Sequence, residues 1–393
     1  MKKATRQFTK NHNITLVLKT IFQQTAVSRA EVARITRLTR TTVSDIVGAL
    51  IEEGLVHEVG VGESLGGKRP MLVGIEKDAR VILCMDLSRR GFRGALVNLR
   101  GEILERTNGG REHYRGEAAL QQVFAQLDNL VEKTSQPILG IGIGTPGLID
   151  TREGVVRRAV NLDWNDLPLK KILSERYHLP VHVANDSHVA ALAEYSYGEL
   201  RDVPNLVVVK AGEGIGSGIV LGGKIFYGDG FAAGEIGHLV VGDNGLLCTC
   251  GNYGCLETEA GTRAILQRAA NLVEQHPGVL PQANPNAKLS LEDVHQAFLA
   301  GVPQVTELVS AAARALGVAI ANLIGVLDMQ QVILSGEITE LGEPFLDLVR
   351  QQARRRVLSD MVENTTLRLS SLGADHVLLG ASALVLSQEL ELP

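Results

Sequence analysis

Three of the four cysteines in this chain fall between positions 248 and 255, and that cluster constrains the fold more than any other feature. The run reads Cys248-Thr249-Cys250-Gly251-Asn252-Tyr253-Gly254-Cys255, with His238 ten residues upstream. Three thiolates and one imidazole complete a tetrahedral zinc set, and the glycines permit a turn tight enough for the thiolates to converge. Four protein ligands leave no position for a water, so such a site is structural and not catalytic. Free buried thiols or a redox pair are the competing reading. Four cysteines do not make a disulfide scaffold, and in a reducing compartment a cluster of thiols points to metal.

The knuckle is a small part of 393 residues, a length that implies two or three domains at about 100–200 residues each. No uninterrupted apolar stretch approaches the ~20 residues that span a bilayer, and the polar start at 1–13 lacks a signal-peptide core. The expected setting is the cytoplasm, with no membrane partner. Charge is unevenly divided. Residues 1–75 carry 11 Lys/Arg against 6 Asp/Glu, and the remainder 28 against 38. A basic head on an acidic body suits a nucleic-acid contact at the head alone, although an uneven solvated surface reads the same way.

Within the head, Ile14, Val17, Leu18, Ile21 and Phe22 recur at helical spacing. Ser28-Arg29-Ala30-Glu31 matches a capping box opening a second helix, whose Val32 and Ile35 can face inward. Thr39 can cap a third helix, with Val43, Val47 and Leu50 on one stripe and Gly54 at its stop. The outward residues of that helix are Arg40, Thr41, Thr42, Ser44 and Asp45. Short hydrogen-bonding side chains plus an arginine at the helix start suit base edges in a major groove. Two apolar runs, 55–61 and Met71–Ile75, flank a loop containing Gly66-Gly67-Lys68-Arg69-Pro70. They read as a hairpin wing whose Lys68 and Arg69 can enter a minor groove. A three-helix interaction module without DNA is the plainer alternative.

From Arg80 onward strands alternate with helices, the pattern of an α/β protein. Strand runs at 81–87, 137–143, 181–184 and 206–209 lead into polar or glycine-rich turns. Among these turns are Gly144-Thr145-Pro146-Gly147, Asn185-Asp186 and Gly212-Glu213-Gly214-Ile215-Gly216-Ser217-Gly218, where such folds place ligands. Glu235 and Glu257 flank the knuckle. Carboxylates and Asn185 converging in a cleft suit a polyhydroxylated ligand. Taken singly, Asn185-Asp186 is equally a turn dipeptide and Glu257 equally a helix-start acid.

Gly234-Glu235-Ile236-Gly237-His238, followed by Cys248-x-Cys250-Gly251-x-x-Gly254-Cys255-Leu256-Glu257, resembles the signature of the ROK family of repressors, open reading frames and sugar kinases. The likeness extends to 144–150, Asn161-Leu162-Asp163-Trp164, Asn185-Asp186, 214–218 and the Gly-Gly-Lys-Arg-Pro wing of its repressor branch. It implies a winged helix-turn-helix at 1–76 and an actin/hexokinase-like, ribonuclease-H-like two-lobed sugar domain at 77–393. The first lobe is expected at about 80–200 plus the C-terminal helix, and the second, with the zinc knuckle, at about 201–377. In the family's kinases the Asp matching Asp186 is the base, and residues matching Asn185, Asp186, Glu235, His238 and Glu257 hold sugar hydroxyls. His238 would then serve both sugar and zinc.

The kinases also carry Asp-x-Gly-Gly-Thr after the first strand. Here Asp86 is followed by Leu87-Ser88-Arg89-Arg90, and a second-loop threonine is replaced by Glu213. Phosphoryl transfer depends on positioning and charge compensation, so both departures count against it. The expectation is a homodimeric or homotetrameric repressor of carbohydrate genes. It binds palindromic operator DNA and is released by a monosaccharide, with structural Zn2+ and no enzymatic activity. A sugar kinase retaining ATP-dependent phosphorylation is the alternative, because Asp186 is kept.

Overall fold

The computed structural model describes residues 6–63, 69–87, 91–110, 113–199, 203–242, 245–280 and 288–392. Lys68 of the wing and Ser88, Arg89 and Arg90 after the first body strand lie outside the described residues. The head holds helices α1 (Arg6–Gln23), α2 (Arg29–Thr36) and α3 (Arg40–Glu52). Its antiparallel strands β1 (Val27–Ser28), β2 (Val56–Val61) and β3 (Met71–Ile75) pair in the order β1-β3-β2. Ser28 Oγ accepts from the Glu31 N–H at 3.1 Å, and Thr39 Oγ1 from the Thr42 N–H at 3.1 Å, fixing the starts of α2 and α3. The Glu31 carboxylate turns instead to Arg34, so the cap at Ser28 is one-sided. Val17, Ile21, Val32, Val43 and Val47 are wholly buried. Ile35 is not inward, at 45% exposure: α2 is short, Arg37 ends it in a left-handed turn, and Ala33 joins Val32 on the inner face.

The first lobe runs β4 (Val81–Asp86), β5 (Arg93–Asn98), β6 (Ile103–Asn108), α4 (Gly116–Glu132) and β7 (Ile138–Thr145). Then come β8 (Leu148–Asp150), β9 (Val155–Ala159), β10 (Trp164–Leu167), α5 (Leu169–Tyr177), β11 (Val181–Asn185) and α6 (Asp186–Tyr197). The second lobe has β12 (Leu206–Ala211), β13 (Ile215–Leu221), β14 (Lys224–Ile225), α7 (Leu256–Ala260), α8 (Thr262–Gln275), α9 (Leu291–Leu299) and α10 (Pro303–Leu327). It closes with β15 (Gln331–Ser335), α11 (Gly342–Arg354), α12 (Ser359–Glu363) and β16 (Thr366–Leu369), and α13 (His376–Glu389) packs back on β4, β7 and α6.

The two larger sheets have one topology. The orders are β11-β7-β4-β5-β6 and β14-β13-β12-β15-β16. In each, the first three strands in sequence are antiparallel and the last two join parallel to the first. The chain is thus a mixed α/β protein built from a repeated five-stranded unit, a repeat that residue periodicity does not show and that only the family resemblance, with its two ribonuclease-H-like lobes, implies. Helix α10 is long and apolar enough to cross a membrane by composition, yet Val309, Ala312, Leu316 and Ile320 are buried in the second lobe's core.

Asp86, Thr145 and Asn185 end β4, β7 and β11, while Ala211 and Ser335 end β12 and β15. The two sheets therefore aim their carboxyl ends at one cleft, with α6 packed on both β12 and β13. Gly216 and Gly218 make that packing possible. A Cβ there would lie 2.3 Å from Ser187 Oγ and 2.4 Å from the Ser187 carbonyl. These glycines, read from sequence as ligand-loop residues, first of all seat α6 on its strand. Similarly, Asn161-Leu162-Asp163-Trp164 pins the start of α4: Trp164 Nε1 donates to Gly116 O at 2.9 Å, and Gly116 N–H to Leu162 O at 2.7 Å.

Candidate functional site

The cleft holds a cavity of about 840 Å³, and Asn185, Asp186, Glu235, His238 and Glu257 all line it. They come from three stretches, the β11–α6 junction, the turn at 235–238 and α7, and the fold brings those three together. Asn185 caps α6: its Oδ1 accepts from the Ser187 N–H at 2.8 Å and its Nδ2 donates to Gly147 O at 2.9 Å. Much of its hydrogen-bonding capacity therefore goes to holding the β7 turn and the α6 terminus in place. Glu257 sits in the first turn of α7 and accepts from the Ile215 N–H at 3.3 Å. Burial, with the carboxylates of Asp186 and Glu257 nearby, pushes Glu235 up to about 7.

The knuckle closes as a metal site would need. Cys248 Sγ is 3.5 Å from His238 Nδ1, Cys250 Sγ is 3.6 Å from Cys255 Sγ, and all four ligand atoms lie within 4.8 Å of one another. A tetrahedral zinc with Zn–S of about 2.3 Å and Zn–N of about 2.0 Å has edges of roughly 3.5–3.8 Å, so the donor set fits. Gly254 is at φ +69°, and a Cβ there would meet Gly242 O at 1.9 Å, so only glycine lets the loop close. His238 faces both ways. Its Nδ1 points into the thiol cluster, while Nε2 lies 4.0 Å from Glu235 Oε2 on the cavity side. The cluster is able to hold a metal.

The cleft floor contains two residues that sequence reasoning passed over. Lys210, on β12, places its Nζ 2.9 Å from Asp186 Oδ2. Burial works against charge on both partners, but their attraction prevails. Asp186 is held below the ordinary carboxylate range and Lys210 above the ordinary lysine value. Arg93, on β5, donates to Asp86 through Nε at 3.2 Å and through Nη2, which also reaches Ala374 O at 2.8 Å. The Asp that a phosphate loop would follow and the Asp that would act as base thus each carry an internal cation. Glu213 lines both the cleft and a second cavity of about 1220 Å³. The signal that could have found Lys210 was there: a lysine ending the apolar run Leu206–Val209 must meet an acid.

On the head, Arg40, Thr41, Ser44 and Asp45 are exposed along α3, and Thr42 is half-buried, its hydroxyl 2.8 Å from Thr39 Oγ1. Arg69 is exposed where the wing closes through Gly62 N–H and Pro70 O at 2.9 Å. The head shares one core with the first lobe, Phe22, Leu55 and Val56 clustering with Ile82, Ala95 and Leu99. Arg100 fastens the join: its guanidinium donates to the carbonyls of Phe22 and Gln24 and stacks on the Phe22 ring at 4.7 Å.

A winged-helix head on a two-lobed, actin-like body, with a His/Cys knuckle beside a polar cleft, defines the class. Residues 82–388 match the ROK family. The chain is 34% identical to a putative xylose repressor of Caldicellulosiruptor sp. (strain Rt8B.4), over 98% of both chains. A crystal structure of a ROK family transcriptional regulator, a homolog of the E. coli MLC protein, superposes with a TM-score of 0.83 at 27% identity, covering 97% of this chain and 96% of that one. A ROK glucokinase from Streptomyces griseus, in complex with glucose and AMPPNP, matches 77% of this chain and 98% of its own with a TM-score of 0.70 at 28% identity. This chain belongs to the ROK family.

Proposed function

We infer that the chain is a sugar-responsive transcriptional repressor, which holds operator DNA with its winged head and lets go when a monosaccharide fills the cleft. One observation carries this reading: the head with its exposed polar α3 shares a core with the lobe whose strand ends line the polar cleft, in a chain similar over 98% of its length to a putative xylose repressor. In this reading Arg40, Thr41, Thr42 and Ser44 meet base edges, while Arg69 and Lys68 meet phosphate or the minor groove. One such head offers few base contacts, so pairing as a homodimer or dimer of dimers on a palindrome is expected, with half-sites about 34 Å or a multiple apart.

Asn185, Asp186, Glu235, His238 and Glu257 are the sugar ligands in this reading, and His238, Cys248, Cys250 and Cys255 hold a structural zinc. A bound zinc supplies rigidity and no reactive water, because the protein fills all four positions. Its effect on the sugar passes through His238, whose ring is fixed from the Nδ1 side so that Nε2 stays aimed into the cavity.

Sugar kinase activity is the second reading, favoured by the glucokinase match and by the retained Asp186. The ion pairs of Asp86 and Asp186 weigh against it. A coupled assay with Mg-ATP and a sugar panel separates the two, since turnover in the ordinary range of ~1–1,000 per second identifies a kinase.

The decisive experiment is operator titration with and without sugar. A coupling of ~1–3 kcal/mol lowers operator affinity about 5–150-fold when sugar is present. Arg40→Ala should lose ~1–3 kcal/mol of operator binding and relax sequence preference, whereas Arg69→Ala should weaken all sequences alike and reduce the salt slope by about 1. Operator affinity that no sugar changes overturns the reading.

A further inference from the structure

We propose that Lys210 is an effector-contact residue, which with Asp186 reads one particular hydroxyl of the sugar; the inference rests on the sugar-binding reading above. Strand β12 alternates strictly. Val207, Val209 and Ala211 face the second lobe's core, while Leu206 and Val208 face Ala190 and Ala191 of α6. Lys210 continues the latter row, so its side chain leaves the sheet beside the first residue of α6, Asp186. An apolar residue is what this row calls for. A lysine there is expensive to bury unless something compensates its charge.

Asp186 compensates it, but only in part of its hydrogen-bonding capacity. An ammonium carries three N–H donors. Among the described residues Lys210 makes one hydrogen bond, to Asp186 Oδ2, and both side chains line the cavity. Asp86 and Glu337 add favourable charge around the ammonium. Lys210 is therefore a fixed cation with donors left for a ligand, next to an anion with acceptor capacity left for the same ligand. A sugar hydroxyl both donates and accepts. Seated between them, it donates to Asp186 and accepts from Lys210.

The arrangement also explains how the site keeps recognition and loses chemistry. A base must take a proton from the hydroxyl, and an Asp whose charge is held by an ammonium is a weakened base. As a hydrogen-bond acceptor it loses little. Specificity follows from the same pair. A ligand lacking that hydroxyl leaves both charged groups unpaired in a confined cleft, the situation in which enzymes reject deoxy analogues most strongly.

The test uses the full-length, zinc-loaded protein. Calorimetric titration with D-xylose, D-glucose and N-acetyl-D-glucosamine first identifies which one binds, and single-position deoxy derivatives of that sugar follow. Wild type should discriminate against one deoxy derivative more than the others. Lys210→Met should bind the parent sugar on the order of 10–100-fold more weakly, the ordinary worth of a hydrogen bond to a charged donor, and lose that discrimination. Lys210→Gln, which keeps a donor and leaves Asp186 less isolated, should fall between; thermal melts and zinc content verify that both variants fold. Wild-type affinity and wild-type deoxy discrimination in folded Lys210→Met overturn the proposal while leaving the sugar reading intact. A wild-type protein that binds none of the sugars overturns both.

Discussion

The floor of the cleft and its knuckle wall are built from the same kind of residue and left in opposite states. On the floor, Asp86 is held by Arg93 and Asp186 by Lys210. On the wall, neither Glu235 nor Glu257 has a Lys or Arg partner among the described residues; Glu257 accepts a backbone N–H and Glu235 faces His238. Phosphoryl transfer needs the floor, because charge must be compensated where the phosphoryl group and the base meet. Hydroxyl recognition needs only donors and acceptors in place. The contrast is that of a polar cleft whose floor carboxylates are each paired with an internal cation and whose wall carboxylates are not.

The largest effect should come from breaking a floor pair. Asp186→Ala strands the Lys210 ammonium, and losing one partner of a buried pair ordinarily costs about 3–5 kcal/mol. We expect a clear drop in the urea midpoint, together with loss of sugar-triggered operator release. The double variant Asp186→Asn, Lys210→Met removes both charges and should recover most of the stability but none of the sugar response. If Asp186→Ala unfolds at the wild-type urea concentration, the floor pair contributes nothing and the contrast with the wall disappears.

Breaking the wall should act through the metal. Cys250→Ser removes one of four ligands, so bound zinc should fall from about one per chain to none by elemental analysis. Sugar affinity should weaken by roughly 10–100-fold as His238 loses its anchor, the usual scale for losing a supporting contact at such a site. Unchanged sugar affinity in a zinc-free protein would separate the knuckle from the cleft and leave it a purely local staple.

The wall was legible in the sequence and the floor was not, for a physical reason. Thiols at 248, 250 and 255 with His238 nearby converge by local chain geometry, and short-range caps such as Ser28 and Thr39 are equally local. Lys210 and Asp186 meet only because β12 of one sheet packs on α6, which starts from the other sheet's last strand. Arg93 reaches Asp86 through antiparallel pairing of β4 with β5, in which the two residues stand opposite each other. The repeated sheet topology comes only with the family resemblance and its two ribonuclease-H-like lobes, since strand order is set by crossovers and not by composition. Ile35 misled because the buried face of α2 centres on Val32 and Ala33, and at about 100° per residue position 35 falls off its edge.

The smallest individual effects, and the sharpest test of whether floor and head communicate, should come from Arg100. Helix α6 runs for 12 residues from Asp186 on the cleft floor to Tyr197, a length of about 18 Å. At that far end the Tyr197 ring lies so close to Gly101 that a Cβ there would sit 2.6 Å from Cε1, and its hydroxyl is 3.0 Å from Ser382 Oγ on α13. Arg100, the neighbour of Gly101, grips the end of α1 through the Phe22 and Gln24 carbonyls. A ligand can move an equilibrium only by its difference in affinity for two states, and a contact such as this is a route by which sugar that displaces α6 is felt at the head. Arg100→Met lies outside both binding sites. Sugar affinity and sugar-free operator affinity should each stay within about threefold of wild type, because Arg100 lines neither the cleft nor the exposed face of α3. The coupling between them, about 5–150-fold in wild type, should fall toward one. Because linkage is reciprocal, the weakening of sugar binding by operator DNA should vanish in the same variant. Full release by sugar in Arg100→Met would mean that the head is moved by another route, such as a change in how two copies of the chain are spaced on DNA.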